Sequence, residues 1–388
     1  MATLNQDKAT ILLGDCIISP LGFSSEKNFE NILKGVSALK AHRFPFSNQE
    51  YWAGVIAETR VDNAFKKIGV PSKYSKLEKM SILAIREAAQ KSDLDLTDHD
   101  TLLIYCTTKG NIDLLDKNKE SDLPSERVLL PELARSIADF FNMQHRPIVV
   151  SSACISGLLG VIIADRFLKQ GRWKNIVVAA GDLVSQFTLS GFDSFNALDE
   201  ETCKPFGKDR KGINIGEAAA ALVLTLAEQD DKQKIQVVKG AVSNDANHIS
   251  APSRTGNGLF QCIEKVLQSE TDEVNTPDFI SAHGTATLYN DAMESWAIHR
   301  SELSEVPMHS LKPYFGHTLG ASGLLESILA VYSLRHNQLI PIKGFTESDV
   351  PQKITPIREV TEKPLYSCLK TSSGFGGCNA AVLFQKMT

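Results

Sequence analysis

The chain has 388 residues, 43% hydrophobic and 22% charged, with a formal net charge of −5. This is the composition of a folded globular protein, long enough for two lobes or one large duplicated core. It carries no basic surplus to hold nucleic acid or an anionic membrane surface, and no apolar run approaches the roughly 18–20 residues of a membrane span.

The first residues, "MATLNQDKATILLGD", lack the charged-then-apolar pattern of a secretion signal. The segment "KYSKLEKMSILAIREAAQKS" spaces Leu77, Met80, Leu83, Ala84 and Ala88 at helical period. "TLLIYCTT" and, further on, "NIVVAAGD" read as short strands apolar on both faces, the pattern of buried parallel strands. Between them "PIVVSSACISGLLG" runs from an apolar strand through Cys154 into "SGLLGVIIADRFLKQG". That helix is apolar nearly all round and belongs in the centre of the molecule. A thiol at such a junction is either a small buried hydrophobe or a thiolate favoured by the first turn of a helix. The seven cysteines, at 16, 106, 154, 203, 262, 368 and 378, form no CxxC and are odd in number. They suggest a reduced, cytoplasmic protein with neither a disulfide framework nor a zinc knuckle.

The chain is written twice. "SGLLGVIIADRFL" from Ser156 returns as "SGLLESILAVYSL" from Ser322, 166 residues later. "GEAAAALVL" from Gly216 returns as "GGCNAAVLF" from Gly376, 160 residues later. Two landmarks in one order at nearly one offset imply a duplication. The stretch "AEQDDKQK" at 227–234 marks the boundary, giving halves 1–228 and 235–388 that share a layered core. The first central helix is entered through Cys154 and the second through "YFGHTLGASG", which carries His317. A pseudo-twofold axis would turn thiol and imidazole toward one cavity.

Three further stretches extend the pattern. "ISAHGTATLYNDAMESWAI" ends a strand at His283 before small residues and a helix. "LKPYFGHTLGASGLLE" sets Lys312 five residues before His317 and Glu326 nine after it. "TSSGFGGCNAAVLF" is a Gly-rich turn leading into a final strand. Singly, each histidine reads as structural, GFGG as an ordinary turn, and Lys312 with Glu326 as an ion pair. Together, one Cys and two His occupy strand ends before helices, where α/β active sites collect.

With these motifs the sequence resembles the β-ketoacyl-ACP synthases of the elongating type, in the thiolase-fold superfamily. The resemblance runs from "ILLGDCIISPLG" to "GFGGCNAAVLF" and includes "SSACISG", "CKPFGKDRKGINIGEAAAALVL", "HGTATLYNDAMES" and "LKPYFGHTLGASG". It implies an α/β thiolase-like fold of two βαβαβαββ halves in an α-β-α-β-α stack, with the nucleophile in the first half and both histidines in the second. It implies that Cys154 holds the acyl chain as a thioester, and that His283 and His317 donate to the enolate left by malonyl decarboxylation. Lys312 and Glu326 support them. The backbone N–H groups of Cys154 and Phe375 form the oxyanion hole, and Thr285, Thr287, Phe375 and Gly376 line the channel for a phosphopantetheine arm. It implies no metal and no cofactor beyond that arm, an acyl carrier protein as partner, and a dimer, either of two copies or with a related synthase subunit, through the strand "PIVVSSA". Lys204, Lys208, Arg210 and Lys211 are candidates for the carrier's basic patch.

The sequence departs from the family at Gly207 and Lys211, where acidic residues are usual, at Ser373, where an aromatic is usual, in the short loop from Asp199 to Lys204, and in "YCTTKGN", which lacks the usual glycine run. These point away from housekeeping fatty-acid elongation and toward a specialised pathway such as aryl polyene or polyketide-like synthesis. Three alternatives stand beside this reading. One is a thiolase using Cys378 as base, and a second is a non-catalytic chain-length partner, which would lack the nucleophile. The third is a Cys/His thioester hydrolase.

Overall fold

The computed structural model describes residues 8–116, 121–228, 234–246, 252–268 and 276–387. Most of the expected boundary at 227–234 lies outside the described residues. The strands of its large sheet are, in the first half, β1 (Lys8–Ile18), β2 (Thr101–Cys106), β3 (Ile148–Val150), β4 (Asn175–Asp182) and β5 (Ala218–Glu228). The second half supplies β6 (Ile235–Asn244), β7 (Phe279–Ser281), β8 (Pro307–His309), β9 (Thr355–Pro356), β10 (Ser367–Gly374) and β11 (Cys378–Lys386).

The two halves repeat one topology. The first is ordered β1-β5-β4-β2-β3, with the first two pairings antiparallel and the last two parallel. The second is ordered β6-β11-β10-β7-β8 with the same senses, and β9 is added parallel at its edge. The two sheet layers are joined edge to edge by hydrogen bonds into one ladder. The join is short: β1 and β6 pair antiparallel only at Thr10–Val237 and Ile11–Gln236.

The helices that matter here are α1 (Lys76–Lys91), α2 (Leu130–Phe140), α3 (Ser156–Lys169), α4 (Gln186–Ser194), α5 (Asn257–Leu267), α6 (Leu288–Arg300), α7 (Lys312–Phe315) and α8 (Ser322–His336). α1 starts on a capping box, with Ser75 Oγ accepting from the Glu78 N–H and the Glu78 carboxylate accepting from the Ser75 N–H. It packs with α2 on the outer face of the first half, where Leu77, Met80, Ile85 and Ile137 are buried. α5 and α6 cover the outer face of the second half, through Leu259, Ile263, Met293 and Ala297. α3 and α8 form the middle layer and touch strands of both halves. Their apolar faces, Leu158, Val161 and Ile162 on one and Leu324, Ile328 and Leu329 on the other, belong to a single core. The α-β-α-β-α stack therefore holds. Among the described residues no helix is long and apolar enough to cross a membrane.

The repeated SGLL has a steric cause. A Cβ on Gly157 would lie 2.8 Å from the Leu324 nitrogen and the Gly320 oxygen, and one on Gly323 would lie 2.6 Å from the Leu158 nitrogen. Each helix presents a glycine to the backbone of the other, so the same four residues recur because the two helices make the same crossing reciprocally. This crossing sets the starts of α3 and α8, and the residues preceding them, at the centre of the molecule.

Candidate active site

Cys154 stands two residues before α3, whose N-cap is Ile155. It therefore sits just outside the first turn rather than in it. The chain reaches it through a tight elbow. Ala153 has a left-handed φ of 44°, a conformation that costs free energy in a non-glycine residue. Ser156 holds the elbow, its Oγ accepting from the Ser152 N–H and donating to the Ala153 carbonyl. Ser372 Oγ donates to the carbonyl of Cys154 itself.

The second half brings its histidines to this thiol. His317 follows α7, and its backbone lies against residues 214–216: its N–H donates to Asn214 O and its carbonyl accepts from the Gly216 N–H. His317 Nε2 is 2.9 Å from Cys154 Sγ, and its Nδ1 is 2.8 Å from Ser322 Oγ. A hydroxyl can donate or accept, so Ser322 serves either tautomer of the ring. His283 lies beyond the end of β7, its ring edge-on to that of His317 at 5.2 Å between centroids. Its Nδ1 is buried and has no hydrogen-bond partner among the described residues. The Cys154 sulfur and ring nitrogens of both histidines lie within 4.8 Å of one another.

The charges beneath the rings are buried. Lys312 Nζ donates to Glu326 Oε1 at 2.5 Å and to the His283 carbonyl at 2.9 Å. A third group joins them that the motifs did not single out. Lys370 of β10 is ion-paired to Glu326 Oε2 at 2.7 Å and is wholly buried. Burial, with the charges of Lys312 and then Lys370, holds His317 well below the ordinary imidazole range; for His283 it is burial, then Lys312, His317 and Lys370. Both rings are therefore neutral N–H donors near pH 7. Burial pushes the Cys154 thiol up to about 11, with Lys312 and Lys109 pulling only weakly against it. The expected helix-favoured thiolate is not the resting state. Desolvation wins because the sulfur is enclosed, sits outside the first turn, and faces a neutral imidazole.

A cavity of about 360 Å³ opens on this cluster. Thr285 and Thr287 line it and share a hydrogen bond at 2.9 Å. Phe375 lines it too, 42% exposed, stacked on Phe192 at 5.6 Å and tilted against Phe195. The Phe375 N–H is directed at the Cys154 sulfur. Gly374 allows that approach, since a Cβ there would fall 2.9 Å from the Cys154 nitrogen. Gly376, expected in the channel, does not line the cavity; it has φ 84° and shapes the turn instead. Cys378 is also outside the cavity lining and is held by Ser152 Oγ and Asn244 Nδ2, both at 3.6 Å.

The proposed basic patch needs one correction. Arg210 is buried, paired with Asp349 and 3.9 Å from Asp291, so it braces the interior. Lys211 does line the cavity, and Lys208 pairs with Glu347 at the surface.

Other supporting groups were not anticipated. Glu294 accepts from the backbone N–H groups of His283 and Gly284, and Asp291 accepts from those of Thr285 and Phe206. Burial first, then repulsion from Asp291, pushes Glu294 up to about 7, and burial pushes Asp291 up to about 6. Asp182, the last residue of β4, ties residues 107–109 to Gly320 ahead of α8. Two carboxylates one helical turn apart in "NDAMES" and an aspartate closing an apolar strand were the available signals.

Comparison with known proteins gives one family. The N-terminal domain model of the β-ketoacyl synthases matches residues 12–230, and the C-terminal domain model matches residues 235–346. A 3-oxoacyl-[acyl-carrier-protein] synthase 2 of Staphylococcus aureus is 25% identical over 416 aligned positions, covering 99% of each chain. Among solved structures, the ishigamide ketosynthase/chain length factor superposes with a TM-score of 0.85 at 24% identity, covering 98% of this chain and all of that one. The ketosynthase ApeO in complex with its chain length factor ApeC, from Xenorhabdus doucetiae, gives 0.83 at 23% identity with full coverage of both chains.

Proposed function

The chain belongs to the β-ketoacyl synthase family and is an acyltransferase that forms carbon–carbon bonds; from that premise we propose that Cys154, His283 and His317 carry the condensation. The observation that carries this reading is the single cluster of one thiol and two neutral imidazoles at the floor of a cavity, drawn from both halves of the chain.

In the first step an acyl-carrier thioester meets Cys154. The thiol's proton passes to His317 Nε2, the sulfur bonds to the acyl carbon, and the carrier leaves as a thiol that regains a proton. The Phe375 and Cys154 N–H groups stabilise the tetrahedral oxyanion. In the second step malonyl-carrier loses carbon dioxide, and the electron pair of the broken bond passes into a thioester enolate. An N–H of His283 and, in the tautomer with its proton on Nε2 and Ser322 Oγ donating to Nδ1, that of His317 face its oxygen in a site shielded from water. The enolate carbon attacks the Cys154 thioester, the carbon–sulfur bond breaks, and the thiolate is reprotonated. No cofactor takes part beyond the carrier's phosphopantetheine arm, which runs past Thr285 and Thr287.

The carrier is an acidic acyl carrier protein that docks at the cavity mouth, beside Lys211, Lys204 and Lys208 and the exposed Tyr289 and Leu288. The edge strand β3, with Ile148 and Val149 half-buried, pairs with a second subunit, either another copy or a related synthase chain. The acyl chain belongs to fatty-acid or polyketide-like synthesis. Incubation with a panel of acyl-carrier thioesters, followed by mass spectrometry, tests the assignment: acylation must appear on Cys154. Acylation elsewhere, or none with any donor, would refute it.

A further inference from the structure

Lys370 deserves an account because a lysine in the middle of a central strand is costly to bury. It sits in β10, with no exposed surface. Its Nζ donates to the carbonyls of Thr371 at 2.6 Å, Ser281 at 3.1 Å and Ala282 at 3.4 Å, and it is ion-paired to Glu326. Lys312 takes the next carbonyl, that of His283, and the other oxygen of Glu326. Two ammonium groups thus share one carboxylate, and between them they hold three successive carbonyls leading up to the His283 ring. The buried cluster has one surplus positive charge, and it lies directly beneath the two imidazoles. Glu294 fixes the other side of the same peptide by accepting from the His283 N–H.

We propose that Lys370 is a positioning residue of the condensation site, which fixes the strand end carrying His283 and adds to that of Lys312 a second positive charge facing both imidazoles. This rests on the reading of His283 and His317 as neutral donors to the enolate. With Lys312 alone, the charge of Glu326 would be balanced and the rings would face no surplus. The other ionisable groups near the pair are Cys154 with its raised thiol, Glu294 and Asp291 below the His283 loop, His309 beside Lys370, and Asp182 and Lys109 on the Cys154 side. Of the two cations ion-paired to Glu326, Lys370 is the one whose removal leaves the Lys312–Glu326 pair intact.

The test measures malonyl-carrier decarboxylation by the Cys154→Ala enzyme between pH 5 and 9, with and without Lys370→Met. Lys370→Gln is carried in parallel so that loss of fold in one variant does not decide the outcome, and circular dichroism checks folding in each. A neutral side chain at 370 should raise the imidazoles' proton affinity, moving the acid limb up by about one pH unit. Down the acid limb, the variant's rate relative to its own value at pH 8 should then fall up to about 10-fold below that of the enzyme retaining Lys370 at the same pH, while both stay level between pH 7 and 8. A uniform loss at every pH, with the acid limb unmoved, would show a merely structural lysine and overturn the proposal. If the parent Cys154→Ala enzyme decarboxylates at no pH, the donor reading itself fails and takes the proposal with it.

Discussion

Replacing each histidine by alanine should not give equivalent enzymes, because only one of them touches the nucleophile. His317 Nε2 is 2.9 Å from Cys154 Sγ, whereas His283 has no hydrogen bond to the sulfur and reaches the cavity beside it. His283→Ala removes one donor to the enolate, typically worth about 2.7–4 kcal/mol, so decarboxylation should fall by about 10²–10³-fold. Acyl transfer to Cys154 should stay within a few-fold of the wild type. His317→Ala removes the same kind of donor and also the group that takes the thiol's proton. Because burial holds the thiol at about 11, its thiolate fraction at pH 7 is on the order of 10⁻⁴, and unassisted attack is slow. Self-acylation should then drop by about 10²–10⁴-fold, the usual contribution of a positioned base. The assay is a pair of single-turnover measurements on each variant: acyl-enzyme formation followed by mass spectrometry, and carbon dioxide release from malonyl-carrier. If His317→Ala self-acylates at the wild-type rate, or if His283→Ala loses acylation and decarboxylation equally, the division of labour drawn from the geometry is wrong.

Other outcomes follow from the same geometry. Alkylation of Cys154 by iodoacetamide should accelerate steadily with pH toward about 11, since the raised thiol gains thiolate only there; a plateau near pH 7 would show a stabilised thiolate instead. Micromolar Zn²⁺ should inhibit reversibly, with activity restored by a chelator, because thiol and imidazole donors lie within 4.8 Å of one another; indifference to zinc in wild type and Cys154→Ala alike would count against that clustering. Lys211→Glu should weaken turnover with carrier-bound substrate and do so less at high salt, whereas Arg210→Glu should lower the melting temperature, because it strands a buried charge beside Asp291; equal, purely kinetic effects would contradict the burial of Arg210. Gly323→Ala should cost about 1–3 kcal/mol of stability through its clash with the Leu158 backbone, and a thermal melt indistinguishable from wild type would show that the crossing can relax.

The strands and central helices were legible because their signals are local: apolar runs of strand length in "TLLIYC" and "NIVVAAGD", and an all-round apolar pattern after Ser156. The duplication was legible because each SGLL must leave room for the other's backbone, which makes the steric demand visible in the sequence. What escaped depends on burial, which sequence does not print. Arg210 stands in a run with Lys208 and Lys211 and reads as surface, yet folding turns it onto Asp291 and Asp349. Lys370 drew no notice inside "CLKTSS", because only the approach of α8 brings Glu326 to it and gives a buried lysine its partner. The thiol's basicity was misjudged for a related reason: proximity to a helix start was visible, while the enclosure that outweighs it was not. Gly376 stood inside a motif whose immediate neighbours, Phe375 and Gly377, line the cavity, yet it turns away.

Cys154 and His317 are separated by 163 positions along the chain, and the meeting of α3 with α8 is what joins them. At synthesis rates of roughly 5–20 residues per second, the thiol exists for on the order of 10–30 s before its imidazole has even been made. During that interval α3 has no partner for its glycine-notched face, and the growing first half carries an unpaired apolar ridge and an idle cysteine. Competence arrives late in the life of the polypeptide, and the period of vulnerability before it is set by the length of chain between the two residues rather than by the chemistry of the site.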